Sequence, residues 1–218
     1  MNAERAPSVA AVILGGGRSS RMGRDKASLT LRGRSLMEWT LDSAERVPGL
    51  IEVVVVLADG QDLPFRTSLP ATVIHDEQPY AGPLVAIGSG LRAVTADVAL
   101  VLGCDTPFVQ PSLLALLVEH ARDHAIVVPV HDGRPQPLCS AIRRDAMPSI
   151  AALIAEGVRA ASAIADDPRA RLLEPADWAK VDPEALSFVG VNTPDELRQA
   201  EVLAARLDAR ATAGAQHR

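Results

Sequence analysis

Residues 9–17 read VAAVILGGG, and this junction decides the fold. Six apolar residues, two of them valine and one isoleucine, form a run of strand length that stops abruptly at Gly15, Gly16 and Gly17. A short apolar run ending in a flexible turn reads as a buried strand that opens into a loop. The next stretch is polar and basic, with Arg18, Arg21, Arg24 and Lys26. Three glycines allow positive φ and close approach of a ligand to bare amides. Successive N–H groups of that kind form an anion-binding nest. With four cations at the same end of the strand, in a chain of formal net charge -5, the loop is the best phosphate-site candidate in the sequence. The bland alternative is a basic surface turn.

Working outward, residues 51–57 (IEVVVVL) are the clearest strand, and four consecutive valines suit a strand covered on both faces. Residues 71–74 read as a third strand and 97–102 (DVALVL) as a fourth. Helices are expected after Ser35, over 82–94 and from Pro111. This alternation predicts an α/β fold: a Rossmann-like, doubly wound, mostly parallel sheet flanked by helices, an αβα sandwich. The C-terminal part reads as mixed. Residues 125–130 and 137–142 flank His131-Asp132-Gly133-Arg134, a hairpin signal. Helices follow over 145–155 and 160–165, short strands at 172–173 and 188–191, and a last helix opens at Thr193-Pro194 and reaches about Leu207. The expected organisation is one nucleotidyltransferase domain over 9–207, with frayed tails at 1–8 and 208–218.

Composition excludes several classes. With 3 % aromatic residues the core must be aliphatic, and stacking platforms for single-stranded nucleic acid are in short supply. An acidic chain without a basic run argues against duplex DNA. Cys104 and Cys139 sit in apolar runs with no metal-ligand spacing, which suits a reducing, cytoplasmic setting. No apolar stretch has the length of a membrane span or the form of a signal core.

The loop is neither of two familiar phosphate motifs. A G-x-x-x-x-G-K-S/T loop fails because Arg24 follows Gly23, and G-x-G-x-x-G fails because position 20 is Ser20. The stretch 14–26, LGGGRSSRMGRDK, instead resembles the signature of nucleotidyltransferases that attach a nucleotide to a phosphorylated acceptor. Within that superfamily it is most similar to the molybdenum cofactor guanylyltransferases (MobA-like), whose loop reads L-A-G-G-x-S-x-R-M-G-x-D-K. Gly15 replaces the usual Ala, and Gly16 matches the guanylyl-transferring branch, where cytidylyl-transferring relatives carry Ala. The resemblance runs from about Ala11 to Leu197.

The resemblance implies roles residue by residue. Leu14, Gly15, Gly16, Gly17 and Lys26 would hold the nucleotide, and Lys26 with Arg21 would steady the charge on its phosphates. Asp105, in GCDTPFVQP, would be a catalytic, nucleotide-binding residue and the Mg²⁺ ligand; on its own it reads equally as a turn aspartate before Pro107. Asp76 would contact the nucleotide, although by itself it reads as a solvated loop carboxylate. Pro137, Leu138 and Asn192 would face the acceptor. Arg143-Arg144 lies in the same acceptor segment, or is a solvated helix start. Three departures stand out. Gly190 replaces the first Asn of an N-x-N motif, Ile142 stands where a ring is common, and Leu57-Ala58-Asp59 lacks an expected Asn. Cys139 reads as a small buried residue and His75 as a turn residue.

The implied reaction is transfer of GMP from GTP to the phosphate of molybdopterin, Mg²⁺-dependent, with release of pyrophosphate. The implied partners are GTP and the molybdenum cofactor, with transient contact with molybdoenzyme maturation proteins. Three alternatives stay open: CTP as donor, a sugar-phosphate or phospholactate acceptor, and a non-catalytic nucleotide-binding module that delivers cofactor.

Overall fold

The structure is a computed structural model that describes residues 6–15, 29–62, 67–76 and 82–215. Its centre is an eight-stranded sheet: β1 (Val9–Leu14), β4 (Leu50–Ala58), β5 (Ala71–Asp76), β6 (Val98–Gly103), β7 (Ile126–His131), β8 (Arg134–Pro135), β9 (Cys139–Arg143) and β10 (Ala170–Leu173). A separate two-stranded hairpin pairs β2 (Thr30–Leu31) with β3 (Arg34–Ser35). The helices are α1 (Leu36–Glu45), α2 (Pro83–Ala93), α3 (Pro111–His120), α4 (Met147–Ala155), α5 (Pro175–Trp178) and α6 (Pro194–Ala215).

The main strand order is β10-β7-β9-β6-β1-β4-β5, with β8 on β7. β5, β4, β1 and β6 are mutually parallel, β9 is antiparallel to both β6 and β7, and β10 is parallel to β7. The expected doubly wound, mostly parallel sheet is therefore present, with its mixed part at the C-terminal side. β1 shows why both faces are covered. Val9, Ala11 and Ile13 enter the core under α1 and α3, while Ala10, Val12 and Leu14 enter the core under α2. All six are buried, as a central parallel strand requires.

Local chemistry sets the element ends. In α1 the Ser35 hydroxyl accepts from the Glu38 amide at 3.2 Å, and Glu38 accepts from the Ser35 amide at 2.7 Å, a complete capping box. The turns Arg32-Gly33 and Asp132-Gly133 have positive φ at both residues, which matches the twist of the two hairpins they close. Helix α2 carries Gly88 and Gly90 at close contacts. A Cβ on Gly90 would stand 2.4 Å from Val12 Cγ1, and one on Gly88 would stand 2.5 Å from Ile154 Cδ1. These glycines let α2 sit low on the sheet and tight against α4.

Several expectations change. Residues 188–191 form no strand; Leu186–Phe188 is a 3₁₀ turn, because Ala185 is left-handed and the buried Asp182 carboxylate accepts from the Leu186 and Ser187 amides, each at 2.9 Å. The helix expected over 160–165 is present at Ala161–Asp166 and takes the 3₁₀ form. Helix α6 runs on to Ala215, beyond Leu207, and Asp208 pairs with Arg32 while Arg206 and Arg210 pair with Glu184. At the other end Ser8 is pinned, its amide and hydroxyl donating to Asp97 at 2.9 and 2.7 Å. Among the described residues no helix is long and apolar enough to cross a membrane.

Candidate active site

The parallel strands define where a ligand can sit. From β1 the chain moves outward to β4 and β5, then returns across β1 to β6. The switch point lies between the carboxyl ends of β1 and β6, where doubly wound sheets open a crevice. Register places the candidate residues on that edge. Leu14 pairs with Val56 on one side and Gly103 on the other, and Asp76 pairs with Ala58. The Gly15 amide donates to Val56 O at 2.9 Å, and the Cys104 amide donates to Leu14 O at 3.2 Å. Gly15 and Asp105 thus leave adjacent strands side by side.

Asp105 is half-buried two residues past β6. Its carboxylate folds back over the strand end: a Cβ on Gly103 would stand 2.6 Å from Asp105 Oδ1. Glycine at 103 therefore makes room for the acid. The same residue donates its amide to Leu138 O at 2.9 Å, which brings the Pro137-Leu138 turn to the strand end. Asp105 O accepts from the Val191 amide at 2.8 Å, which brings in Asn192. Asn192 is set by the start of α6. Its amide and that of Thr193 both donate to Glu196 at 2.5 and 3.0 Å, and the Glu196 amide donates to Thr193 Oγ1 at 3.2 Å. A Cβ on Gly190 would lie 3.0 Å from Asn192 Nδ2, so the glycine that replaces an expected Asn leaves the Asn192 amide uncrowded.

The structure thus collects Leu14, Gly15, Asp105, Leu138 and Asn192 at one crevice, with Asp76 two strands along the same edge. Gly16, Gly17, Arg21 and Lys26 lie outside the described residues. Asp76 is the last residue of β5 rather than part of a loop beyond it.

Two readings are redirected by geometry, and a third, the small buried Cys139, is borne out. Arg143-Arg144 sits at the opposite edge, where Arg143 pairs in register with Val98 at the start of β6. Arg143 bonds Asp145, an ion pair that raises the guanidinium pKa and lowers that of the carboxyl. Arg144 donates to Ala96 O at 3.2 Å. Neither arginine reaches the crevice, which removes them from acceptor binding. Ile142 is fully buried mid-sheet between Ala99 and Ile126, so a ring there would be core and not a stacking platform. Burial, with the Asp182 charge nearby, pushes the Cys139 thiol up to about 12 and leaves it inert.

Two features escaped sequence reading. Arg159 closes the start of α2: its carbonyl accepts from the Leu84 amide at 3.1 Å, and a Cβ on Gly82, at φ 98°, would stand 2.8 Å from it. The signal was the conformationally special Gly82. His131, Trp178 and Phe188 form a ring cluster past β7, with His131 stacked on Phe188 at 4.7 Å and Trp178 edge-on to Phe188 at 5.0 Å. These residues are too far apart in sequence to announce one another.

An essential divalent ion is implied by the resemblance. Among the described residues no group of three or more His, Cys, Asp or Glu is arranged to hold a metal. One carboxylate cradled over Gly103 fits a magnesium ion that keeps water and substrate phosphate oxygens as its other ligands, and suits a zinc or calcium cage poorly.

Comparison with known proteins converges on this architecture. Residues 11–174 match the MobA-like NTP transferase domain. The chain is 35 % identical over 198 residues to a probable molybdenum cofactor guanylyltransferase of Chloroflexus aggregans, covering 86 % of this chain and 90 % of that one. It is 30 % identical over 195 residues to the molybdenum cofactor guanylyltransferase of Desulfosudis oleivorans, covering 88 % and 94 %. Among solved structures it superposes on molybdopterin-guanine dinucleotide biosynthesis protein A from Archaeoglobus fulgidus with a TM-score of 0.74 at 26 % identity, covering 90 % of this chain and 99 % of that one. With residues 11–174 matched and relatives at 30–35 % identity covered over nearly their whole length, the chain belongs to the MobA-like NTP transferase domain family and is a nucleotidyltransferase.

Proposed function

We propose that the protein transfers GMP from GTP to the phosphate of molybdopterin, releasing pyrophosphate, in the making of the molybdenum cofactor. The observation that carries this reading is the meeting of Gly15, Asp105, Leu138 and Asn192 at the β1/β6 switch point. Sequence similarity to named guanylyltransferases supports it, and so does the resemblance at Gly16 to the guanylyl-transferring branch, where cytidylyl-transferring relatives carry Ala.

An oxygen of the acceptor phosphate attacks the α-phosphorus in line; one P–O bond forms as the bond to pyrophosphate breaks. No covalent enzyme intermediate is needed, so positioning and charge neutralisation carry the catalysis. Gly16 and Gly17 offer amides to the phosphates; the Gly15 amide is held by Val56 O, so Gly15 serves by letting the backbone approach closely. Lys26 and Arg21 neutralise charge that grows as pyrophosphate leaves. Asp105 would hold Mg²⁺, whose chemistry there is neutralisation of phosphate oxygens. Asp76 would meet the nucleoside. Pro137, Leu138 and Asn192 line the acceptor side. Residues 1–8 and 208–218 stand outside the catalytic domain in this reading.

Asp105→Ala and Lys26→Ala are each expected to cut transfer at least about 10²-fold with the fold intact. Full pyrophosphate release by either variant would remove its assigned role. Competition among GTP, CTP, UTP and ATP reads the base: preference for CTP would overturn the guanine assignment. Gly190 and Ala58-Asp59, where Asn residues are expected, favour a second reading as a cofactor-delivery module. GTP binding without turnover in the presence of acceptor would select it.

A further inference from the structure

We propose that Glu196 is a positioning residue for the acceptor: its carboxylate fixes the peptide that carries Asn192, and so where Asn192 stands against Asp105. The inference rests on the reading of Asn192 as an acceptor contact given above.

Helix α6 opens with a capping box, in which Thr193 precedes the first helical residue, Pro194. The Glu196 amide donates to Thr193 Oγ1 at 3.2 Å, and Glu196 Oε2 accepts from the Thr193 amide at 3.0 Å. A box needs no more than those two bonds. Here the same Oε2 also accepts from the Asn192 amide, at 2.5 Å. That amide lies one residue before the cap, outside the helix. Among the described residues, the boxes of α1 and α5 lack such a bond. At α1, Glu38 accepts from the amide and hydroxyl of Ser35. At α5, Asp177 accepts from the Glu174 amide and from Arg171. Helix capping therefore accounts for two of the three bonds at α6 and leaves the shortest without a purpose in the helix.

The purpose lies at the crevice. Val191 is fully buried, packed with Phe108 and Ala200, and its amide donates to Asp105 O at 2.8 Å. Asn192 follows directly. The peptide between them is planar and can turn only about the bonds to its two α-carbons. Glu196 stops that turn by holding its N–H. Without the carboxylate, a half-buried amide is left without an acceptor and gains by rotating toward water. Rotation changes φ at Asn192 and re-aims its side chain, while the Val191 amide keeps its bond to Asp105. Groups that bind a ligand work only within roughly 0.5 Å of their productive positions. Loss of Glu196 thus strikes the acceptor side and spares Asp105 and the donor side.

The test uses the full chain with Glu196→Ala, Glu196→Gln and Thr193→Ala, with GTP saturating and molybdopterin varied. Glu196→Ala should raise the KM for molybdopterin about tenfold, while kcat stays within about threefold and the KM for GTP within about twofold. Glu196→Gln keeps an oxygen that can accept from both amides, and should stay within about threefold of the unsubstituted chain. Thr193→Ala removes the other half of the cap and should lower Tm about as much as Glu196→Ala does. It should nevertheless leave the KM for molybdopterin within about twofold, because the Asn192 amide stays held. An unchanged acceptor KM in Glu196→Ala overturns the proposal. So does a Thr193→Ala variant that matches Glu196→Ala in acceptor KM, which would show a capping residue only. Glu196→Gln no better than Glu196→Ala also overturns it, since the bond to the amide would then not be what matters. Failure of the unsubstituted chain to transfer any nucleotide to molybdopterin would instead strike the functional reading on which this one stands.

Discussion

Gly103 is where one missing methyl decides what its neighbour can do. The Asp105 carboxylate occupies the space beside it, so Gly103→Ala is expected to push that carboxylate off the strand end. Transfer should fall by about 10²-fold, as when one electrostatic contact at a transition state is lost, with little change in Tm. Activity equal to the unsubstituted chain would mean that the carboxylate can work from a second position. A different acid tests stability rather than chemistry. Asp167 accepts from Arg169 and from Ser149 Oγ, and these bonds, the Arg169 guanidinium first, hold its carboxyl down at about 2 against an ordinary 3.8. Because the folded value is the lower one, the contribution is full above the unfolded pKa and lost as pH falls through the folded one. Asp167→Asn should therefore unfold at lower temperature than the unsubstituted chain at pH 6. The gap should close between about pH 4 and pH 2. A gap constant across that range would show that the Asp167 charge contributes nothing.

Helix α2 shows packing overriding intrinsic preference. In an exposed helix Gly→Ala stabilises by about 1 kcal/mol. At Gly90 the added methyl meets Val12 Cγ1 at 2.4 Å and Val56 Cγ2 at 3.1 Å, both on buried β-branched side chains. Overpacking of this kind costs about 1–3 kcal/mol, so Gly90→Ala is expected to destabilise, read as a lower urea midpoint with unchanged m-value. A raised midpoint would mean that α2 can rise off the sheet without loss. The elements also mark where sequence reading stops. The run VAAVIL into three glycines was legible because strand and turn differ in kind, whereas the acid past VALVLG reads by itself equally as a turn aspartate and was singled out only by the family resemblance. The β2–β3 hairpin was not legible, since two residues per strand carry no period. The run at 188–191 looked like a strand, but Asp182 and the left-handed Ala185 wind the chain just before it.

At the scale of the whole molecule, the fold class and one edge of the site follow from alternation of apolar runs, because both faces of β1 must be covered. The hairpin signal at 131–134 announced a reversal of direction, but not which strand β9 would pair with on its other side. Read as though β9 ran with its neighbours, Arg143-Arg144 would fall at the catalytic edge. β9 runs against them, so its start, Leu138-Cys139, lies at that edge and its end lies at the far one. The site is therefore built from strand exits on one side and a strand beginning on the other.

That reversal also divides the molecule by distance along the chain. β7, β8 and β9 close on one another within residues 126–143, whereas β1 must find partners at 50–58 and 98–103. Contacts between near neighbours in sequence cost less chain entropy to form and tend to form sooner. During refolding the C-terminal meander should acquire exchange-protected amides first, with the β1–β4 and β1–β6 ladders protected later. Pulse-labelled hydrogen exchange showing β1 protected earliest would contradict this. The ledge carrying Pro137 and Leu138, on the acceptor side in the proposed reading, would then exist before the β1 edge opposite it has been assembled.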